Sequence, residues 1–210
     1  MNIILLGMPG SGKGTQADLL VEKLNFFYFQ AGKLARDLAK RDPRIARIVG
    51  SGQLIPEEEM TDYVGKYLDK YLPEGKNVLF EGYPRFIKQY EYLKDWAVKK
   101  GDDIDAVVFI NISEEEAIKR LSSRRICKDC GEVYNLVTNP PPKGECECGG
   151  KLIRRKDDRP ESIKKRFQMY RENTKKLVDY VDKNGNLIKV DGERSINVIF
   201  KDIVKRIKNA

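Results

Sequence analysis

The 210-residue chain contains no histidine. That removes the side chain that titrates nearest neutral pH, and with it Ser–His and Cys–His nucleophilic chemistry and histidine-ligated metals. Chemistry that works by positioning and charge stabilisation survives the loss. No apolar run approaches the length of a membrane span. Ile3–Leu6, with no basic segment ahead of it, is too short for the apolar region of a signal peptide, so the cytoplasm is the expected location and no membrane partner is expected. There is one tryptophan, only four cysteines, and no internal repeat. What is abundant is charge, at 34% of residues, beside 40% hydrophobic residues, a balance that supports a packed core and argues against disorder. The net charge of +8 fits either a site for polyanions or a Lys/Glu-rich solvated surface, since the lysines are scattered.

Short apolar runs alternate with helical spacing. Asn2–Leu6, Phe26–Phe29, Asn77–Phe80, Ala106–Ile112 and Leu187–Val190 read as buried strands. Thr15–Leu24, Leu34–Val49, Glu57–Tyr71, Gln89–Lys99, Glu114–Ser122, Ser162–Val181 and a last stretch from Ser195 read as helices. Ser113 with Glu116 has the form of a capping box. This alternation predicts an α/β fold, a five-stranded parallel sheet flanked by helices. Two stretches break it and read as insertions: residues 30–55, with their own Gly and Pro breaks, and residues 123–158, with the four cysteines and Pro140–Pro142. The core is then 1–29, 56–122 and 159–210.

Between the first strand and first helix lies Gly7-Met8-Pro9-Gly10-Ser11-Gly12-Lys13-Gly14-Thr15, which matches G-x-x-x-x-G-K with the final hydroxyl displaced by one residue. Glycines let the backbone N–H groups of Gly10, Ser11, Gly12 and Gly14 curl around phosphate oxygens, and the helix N-terminus adds positive potential. Lys13 reaches the β- and γ-phosphates. The Thr15 hydroxyl can meet a phosphate or a hydrated magnesium ion. A chance match in a Gly-containing turn is the alternative, and the strand–loop–helix setting argues against it.

The loop, with Gln16 next, is similar to the opening of adenylate kinases and related nucleoside-monophosphate kinases; most other phosphate-loop enzymes carry Ser or Thr where this chain has Gly14. The resemblance runs through nearly the whole chain and implies a P-loop NTPase-type core with an NMP-binding insertion (30–55) and a lid insertion (123–158). It implies reversible transfer from ATP to AMP by direct attack, with magnesium accompanying ATP. Ala31-Gly32-Lys33-Leu34-Ala35-Arg36 is similar to the family's Thr-Gly-Asp-x-x-Arg, and Glu81-Gly82-Tyr83-Pro84-Arg85 to its Asp-Gly-Phe-Pro-Arg. By that likeness Arg36 and Arg85 grip the acceptor phosphate, Ala31, Gly32, Ile55 and Gly82 line the AMP site, and Glu81 orients magnesium-bound water. Gln89 stands where adenylate kinases read the adenine edge, which an amide can pair bidentately. Ala31, in place of Thr, is common instead in pyrimidine monophosphate kinases, so a CMP or UMP kinase stays open. Lys33 stands where the family has an acid.

Arg120, Arg124, Arg155 and Arg166 match arginines that close on the transferring phosphoryl group, Arg120 and Arg124 being placed on one face at a helix end. Arg155 and Arg166 also face AMP by the same likeness. Asp157 and Asp158 resemble the family's paired acids, expected to form hinge salt bridges with the lid arginines. Val133, Tyr134 and Arg194 match positions that touch the ATP base. Aromatic residues are not interleaved with these arginines, which weighs against an RNA-binding stripe; no nucleic-acid partner is expected, and a monomer is the default.

Cys127-Lys-Asp-Cys130 and Cys146-Glu-Cys148 read as a structural zinc site, with disulfides or free thiols as alternatives. Zinc-bearing lids occur in the resembling family, but with Cys-x-x-Cys in the second half, where this chain has Cys-x-Cys. A zinc-ribbon nucleic-acid binder with a vestigial phosphate loop is the rival from another functional class.

Overall fold

The structure is a computed structural model that describes residues 1–72, 77–184 and 187–209. Its centre is a parallel sheet of five strands, β1 (Ile3–Leu6), β2 (Phe27–Gln30), β3 (Val78–Glu81), β4 (Ala106–Asn111) and, in chain order last, β8 (Leu187–Asp191). They lie in the order β2-β3-β1-β4-β8. The sheet predicted from the sequence is therefore present, each strand within a residue or so of its predicted ends. Central β1 is fully buried, flanked by β3 (Ile4 opposite Phe80) and β4 (Ile4 opposite Val107). Its side chains alternate between two cores: Ile4 and Leu6 pack with Phe29, Phe80 and Tyr83 on one face, Ile3 and Leu5 with Leu20, Ile110 and Ile203 on the other. Such two-sided burial is why parallel strands read as unbroken apolar runs.

The helices are α1 (Lys13–Leu24), α2 (Ala31–Ala39), α3 (Pro43–Gly50), α4 (Glu57–Tyr71), α5 (Ile87–Lys99), α6 (Glu114–Ser123), α7 (Pro160–Met169), α8 (Lys175–Lys183) and α9 (Ile196–Ile207). Three departures from the sequence reading have physical causes or consequences. The single helix expected over Leu34–Val49 is two. Pro43 disfavours helical geometry at Asp42, and Asp42 instead caps α3, its Oδ1 accepting from the N–H groups of Arg44 at 2.7 Å and Ile45 at 3.3 Å. The capping box at α6 is half formed. Ser113 Oγ accepts from Glu116 N–H at 3.3 Å, but Ser113 N–H donates to Glu193 Oε1 at 2.7 Å, and the Glu116 carboxylate is taken by Arg120. The helix expected over Ser162–Val181 is interrupted by a five-residue π turn, Tyr170–Thr174, between α7 and α8.

The second insertion carries a three-stranded antiparallel sheet, β6 (Val133–Asn135), β5 (Arg124–Cys127) and β7 (Leu152–Ile153), which the sequence reading did not foresee. Its small core is Cys127, Tyr134 and Cys146 with Leu152 against them. No described helix is long and apolar enough to cross a membrane. The carboxyl ends of β1, β2, β3 and β8 all open on one cleft, the usual place for a ligand in an open parallel sheet.

Candidate functional site

That cleft has a volume of about 860 Å³ and is lined by the phosphate loop from β1, by Gln30 and Gly32 from the end of β2, by Glu81, Gly82 and Arg85 beyond β3, and by Arg194 beyond β8. The loop residues Gly10, Ser11, Gly12, Lys13, Gly14 and Thr15 all face it. Gly10 has φ +89°, and a Cβ there would sit 2.9 Å from the carbonyl oxygen of Ala117 on α6. The loop is thus pressed against α6 where only glycine fits.

Lys13 folds over the loop. Its Nζ donates to the carbonyls of Gly7 and Met8, both at 2.8 Å, and to Ser11 Oγ at 3.2 Å. Burial lowers its pKa to about 7; Glu81 opposes that shift, and Arg85, Arg166 and Arg124 reinforce it. A cluster this basic without a polyanion disfavours one more positive charge.

The arginines come from separate segments. Arg120 lies in the last turn of α6, with Nε donating to Glu116 Oε1 at 2.7 Å. Arg124 departs from the reading that placed it with Arg120 on one helix face. The helix ends at Ser123, and Arg124, extended at φ −68° and ψ 138°, starts β5. Its Nε and Nη2 donate to Asp158 Oδ2 at 2.8 Å and Oδ1 at 2.5 Å. Arg155 makes a similar fork to Asp157, at 2.9 and 2.5 Å. Arg166 Nη1 donates to Asp158 Oδ1 at 2.9 Å and to the Asp157 carbonyl at 3.2 Å. The two acids thus tie three arginines. Burial would raise the Asp157 pKa, but the hydrogen bonds and charge of Arg155, then the charges of Arg166 and Arg124, hold it well below the usual carboxylate range. Arg166 is lowered to about 10, by burial first and then by Arg124.

Arg36, Arg85, Arg155 and Arg166 also border a smaller cavity of about 120 Å³, with Ala31, Gly32, Ile55, Gly82 and Gln89 in its wall. Arg85 Nε donates to the Gly82 carbonyl at 2.8 Å, and the Tyr83–Pro84 peptide before it is cis. Burial lowers the pKa of Arg85, and of Arg36 with help from Arg155. Gln89 is buried. Its Oε1 accepts from Arg85 N–H at 2.9 Å and its Nε2 donates to the Glu57 carbonyl at 3.2 Å, so the amide's orientation is set by the protein. One N–H and one lone pair remain for a ligand. Ala31 is buried beside Gly32. Lys33 is exposed, and nothing in the structure explains its replacing an acid.

In the second insertion, Val133 is exposed and lines the large cleft. Tyr134 reaches the cleft too, but its ring is buried against the small antiparallel sheet, its hydroxyl 3.6 Å from Cys146 Sγ. Arg194 is held by Asp202, which accepts from Nη2 at 2.6 Å, and by the Asp191 carbonyl.

Cys127, Cys130, Cys146 and Cys148 are free thiols whose sulfurs all lie within 4.8 Å of one another. The closest pairs, Cys127–Cys148, Cys130–Cys146 and Cys146–Cys148, are 3.5, 3.5 and 3.4 Å apart. Sulfurs around a tetrahedral metal at a zinc–thiolate distance of about 2.3 Å sit roughly 3.8 Å apart, so the set fits a metal ion and is too far apart for disulfides. Each cluster turns back on itself, Gly131 N–H to the Cys127 carbonyl at 3.1 Å and Gly149 N–H to that of Cys146 at 2.8 Å. The one-residue spacing of Cys146 and Cys148 does not prevent convergence. The backbone N–H of Cys130 draws the Cys127 thiol down to about 6. The Glu132 N–H favours the Cys130 thiolate, yet the Cys148 and Cys146 sulfurs push that thiol up to about 12. Four sulfurs this close share negative charge poorly without a cation.

Several site residues escaped the sequence reading. Glu116 had a signal, its four-residue spacing from Arg120. Asp18 and Glu132, which face the cleft, and Tyr170 and Thr174 of the π turn had none.

The adenylate kinase family model matches residues 5–186. Among curated relatives, an adenylate kinase of Thermosipho africanus is 35% identical over 99% of this chain and all of its own. One of Methanothrix thermoacetophila is 39% identical over 98% of this chain and 97% of its own. One of Oceanobacillus iheyensis is 38% identical over 97% of each.

Proposed function

Since the chain belongs to the adenylate kinase family and its reaction is the transfer of the terminal phosphoryl group of ATP to AMP, we propose that the large cleft holds ATP and the smaller cavity AMP. The observation that supports this reading best is the shared wall. Arg36, Arg85, Arg155 and Arg166 border both spaces, so a donor phosphate on the loop and an acceptor phosphate in the cavity meet among the same guanidinium groups. In-line transfer needs that meeting and no protein nucleophile.

In this reading Lys13 stabilises the β- and γ-phosphates. Arg36 and Arg85 hold the AMP phosphate. Arg120, Arg124, Arg155 and Arg166 take up charge as it spreads over the transferring oxygens. Glu81 and the Thr15 hydroxyl are the groups that would orient a hydrated magnesium ion accompanying ATP, and that ion would supply further charge neutralisation. Val133, the backbone at Tyr134, and Arg194 bound the base of ATP. Residues 123–158 act as a lid and 30–55 as the AMP-side flap on a core of 1–29, 56–122 and 159–210. Closing both excludes water, which would otherwise accept the phosphoryl group. The four cysteines would hold zinc, and an ion whose ligands all come from the protein would play a structural part. The protein works as a cytoplasmic monomer, without nucleic acid.

Gln89 favours AMP among the acceptors, because its free N–H and lone pair match the edge of adenine. Ala31 is the observation that favours a pyrimidine monophosphate instead. ADP formation from magnesium-ATP with AMP, CMP, UMP or GMP decides. Turnover mainly with AMP supports the Gln89 reading, and turnover mainly with CMP or UMP overturns it. Arg85→Ala should lose at least about a hundredfold in turnover; unchanged kinetics would remove Arg85 from the site.

A further inference from the structure

Gln16, the residue after the phosphate loop, has a buried side chain, 2% exposed, in the first turns of α1. Its Nε2 donates to the carbonyl of Ile196, the first residue of α9, at 3.0 Å across 180 residues of sequence. Its Oε1 is buried and has no hydrogen-bond partner. Rotating the amide by half a turn would set two acceptors, Oε1 and the Ile196 carbonyl, against each other, so Ile196 fixes the orientation that leaves Oε1 unpaired. Around it the packing of α1 on α9 is apolar, through Ala17, Leu20, Ile199 and Ile203. An unbranched apolar side chain of the same length would fill the space with no orphaned oxygen. What the amide adds is its hold on Ile196, at a place where Gln16 itself borders the large cleft.

Ile196 belongs to the turn that carries Arg194 and Ser195 into the wall of the donor cleft. On its N-terminal side that turn is held by Arg194, bonded to Asp202 and to the Asp191 carbonyl, and by Glu193, which accepts from Ser113 N–H; at Ile196 the tether is Gln16. The Ser195 side chain makes no capping bond to α9. We propose that Gln16 is a positioning residue for the donor base. It ties the base-side wall at 194–196 to the helix whose N-terminus cradles the phosphates, so that the base subsite and the phosphate subsite keep a fixed separation. The inference rests on the reading of the large cleft as the ATP site.

The test is Gln16→Met, which keeps length and volume and removes the donor, with Gln16→Glu as a second variant that replaces the donor with an acceptor. KM for ATP and for GTP, KM for AMP, kcat and thermal stability are measured for each. The expected result is a KM for ATP raised about tenfold and a narrowed preference for ATP over GTP. KM for AMP and kcat at saturating ATP should stay within about twofold, with no loss of melting temperature in Gln16→Met. An unchanged KM for ATP and unchanged ATP-to-GTP preference would overturn the inference. So would a drop in melting temperature with parallel rises in both KM values, the signature of a plain packing contact. If the unsubstituted protein fails to phosphorylate AMP from ATP, the site reading itself falls. If it turns over normally and Gln16→Met is silent, only the role of Gln16 falls.

Discussion

Arg124 and Asp158 close the base of the second insertion with a two-pronged ion pair, Nε to Oδ2 at 2.8 Å and Nη2 to Oδ1 at 2.5 Å. Arg124 is where the chain leaves α6 for the insertion, and Asp158 lies just before it re-enters the core as α7. Asp158 is fully buried and also accepts from Arg166. Asp158→Asn keeps the shape and removes the charge, leaving two guanidinium groups short of a counter-ion in a part-buried place. Breaking such a pair from one side costs about 3 kcal/mol or more. Urea unfolding should show a loss of that order; a change below about 0.5 kcal/mol would mean the pair is solvated in solution.

The thiol cluster gives a second expectation. The core of the second insertion is only Cys127, Tyr134, Cys146 and Leu152, too little to hold three short strands without a staple. A strong chelator, or Cys130→Ser, should lower the melting temperature by more than about 5 °C. ATP binding by the core should persist, because no cysteine lines the cleft. A melting temperature untouched by chelation would argue that no metal holds the lid.

A third concerns Gly52. It has φ +81°, and a Cβ there would lie 2.6 Å from the Ser162 carbonyl oxygen and 3.1 Å from Cγ of Arg166. Beside it Ser162 Oγ donates to the Gly50 carbonyl at 3.3 Å. The segment after α3 thus rests directly on α7, the helix that bears Arg166. Gly52→Ala should cost about 1–3 kcal/mol of stability through backbone strain and overpacking. It should lower kcat more than it raises KM for ATP. A double-mutant cycle with Arg166→Lys checks the mechanism: additive losses in kcat would show that the contact does not act through Arg166.

Much of this architecture is legible in the amino-acid sequence. The sheet was legible because parallel strands bury both faces, and the phosphate loop because its glycines and lysine act within nine consecutive residues. The break between α2 and α3 has its local signal in Asp42-Pro43. What stayed hidden depends on partners distant in sequence. Glu193 takes the Ser113 N–H that a capping box would have given to Glu116, from 80 residues away. Nothing local marks Gly52 as the point where the chain after α3 meets α7, or Tyr170–Thr174 as a π turn. Tyr134 lines the cleft, but that its ring also packs inward with Cys127 and Cys146 depends on cysteines distant in sequence.

The last expectation comes from Lys13, whose pKa in the free cleft is lowered to about 7 by burial, with surrounding arginines adding to the shift and Glu81 opposing it. A phosphate chain among those cations favours the ammonium and raises the pKa again. The sign follows from linkage. Between pH 7 and the higher pKa of the complex, free protein has lost the proton that the complex carries, so binding takes a proton up and weakens as pH rises through that window. Below about pH 7 both states are protonated and the effect fades. Calorimetric titration with magnesium-ATP at pH 8.5, in buffers of different ionisation enthalpy, should show uptake approaching one proton. In Lys13→Arg, which stays charged throughout, the uptake should disappear. Equal uptake in both proteins would assign the proton to another group, and no uptake in the unsubstituted protein would mean that Lys13 keeps its charge in the free cleft.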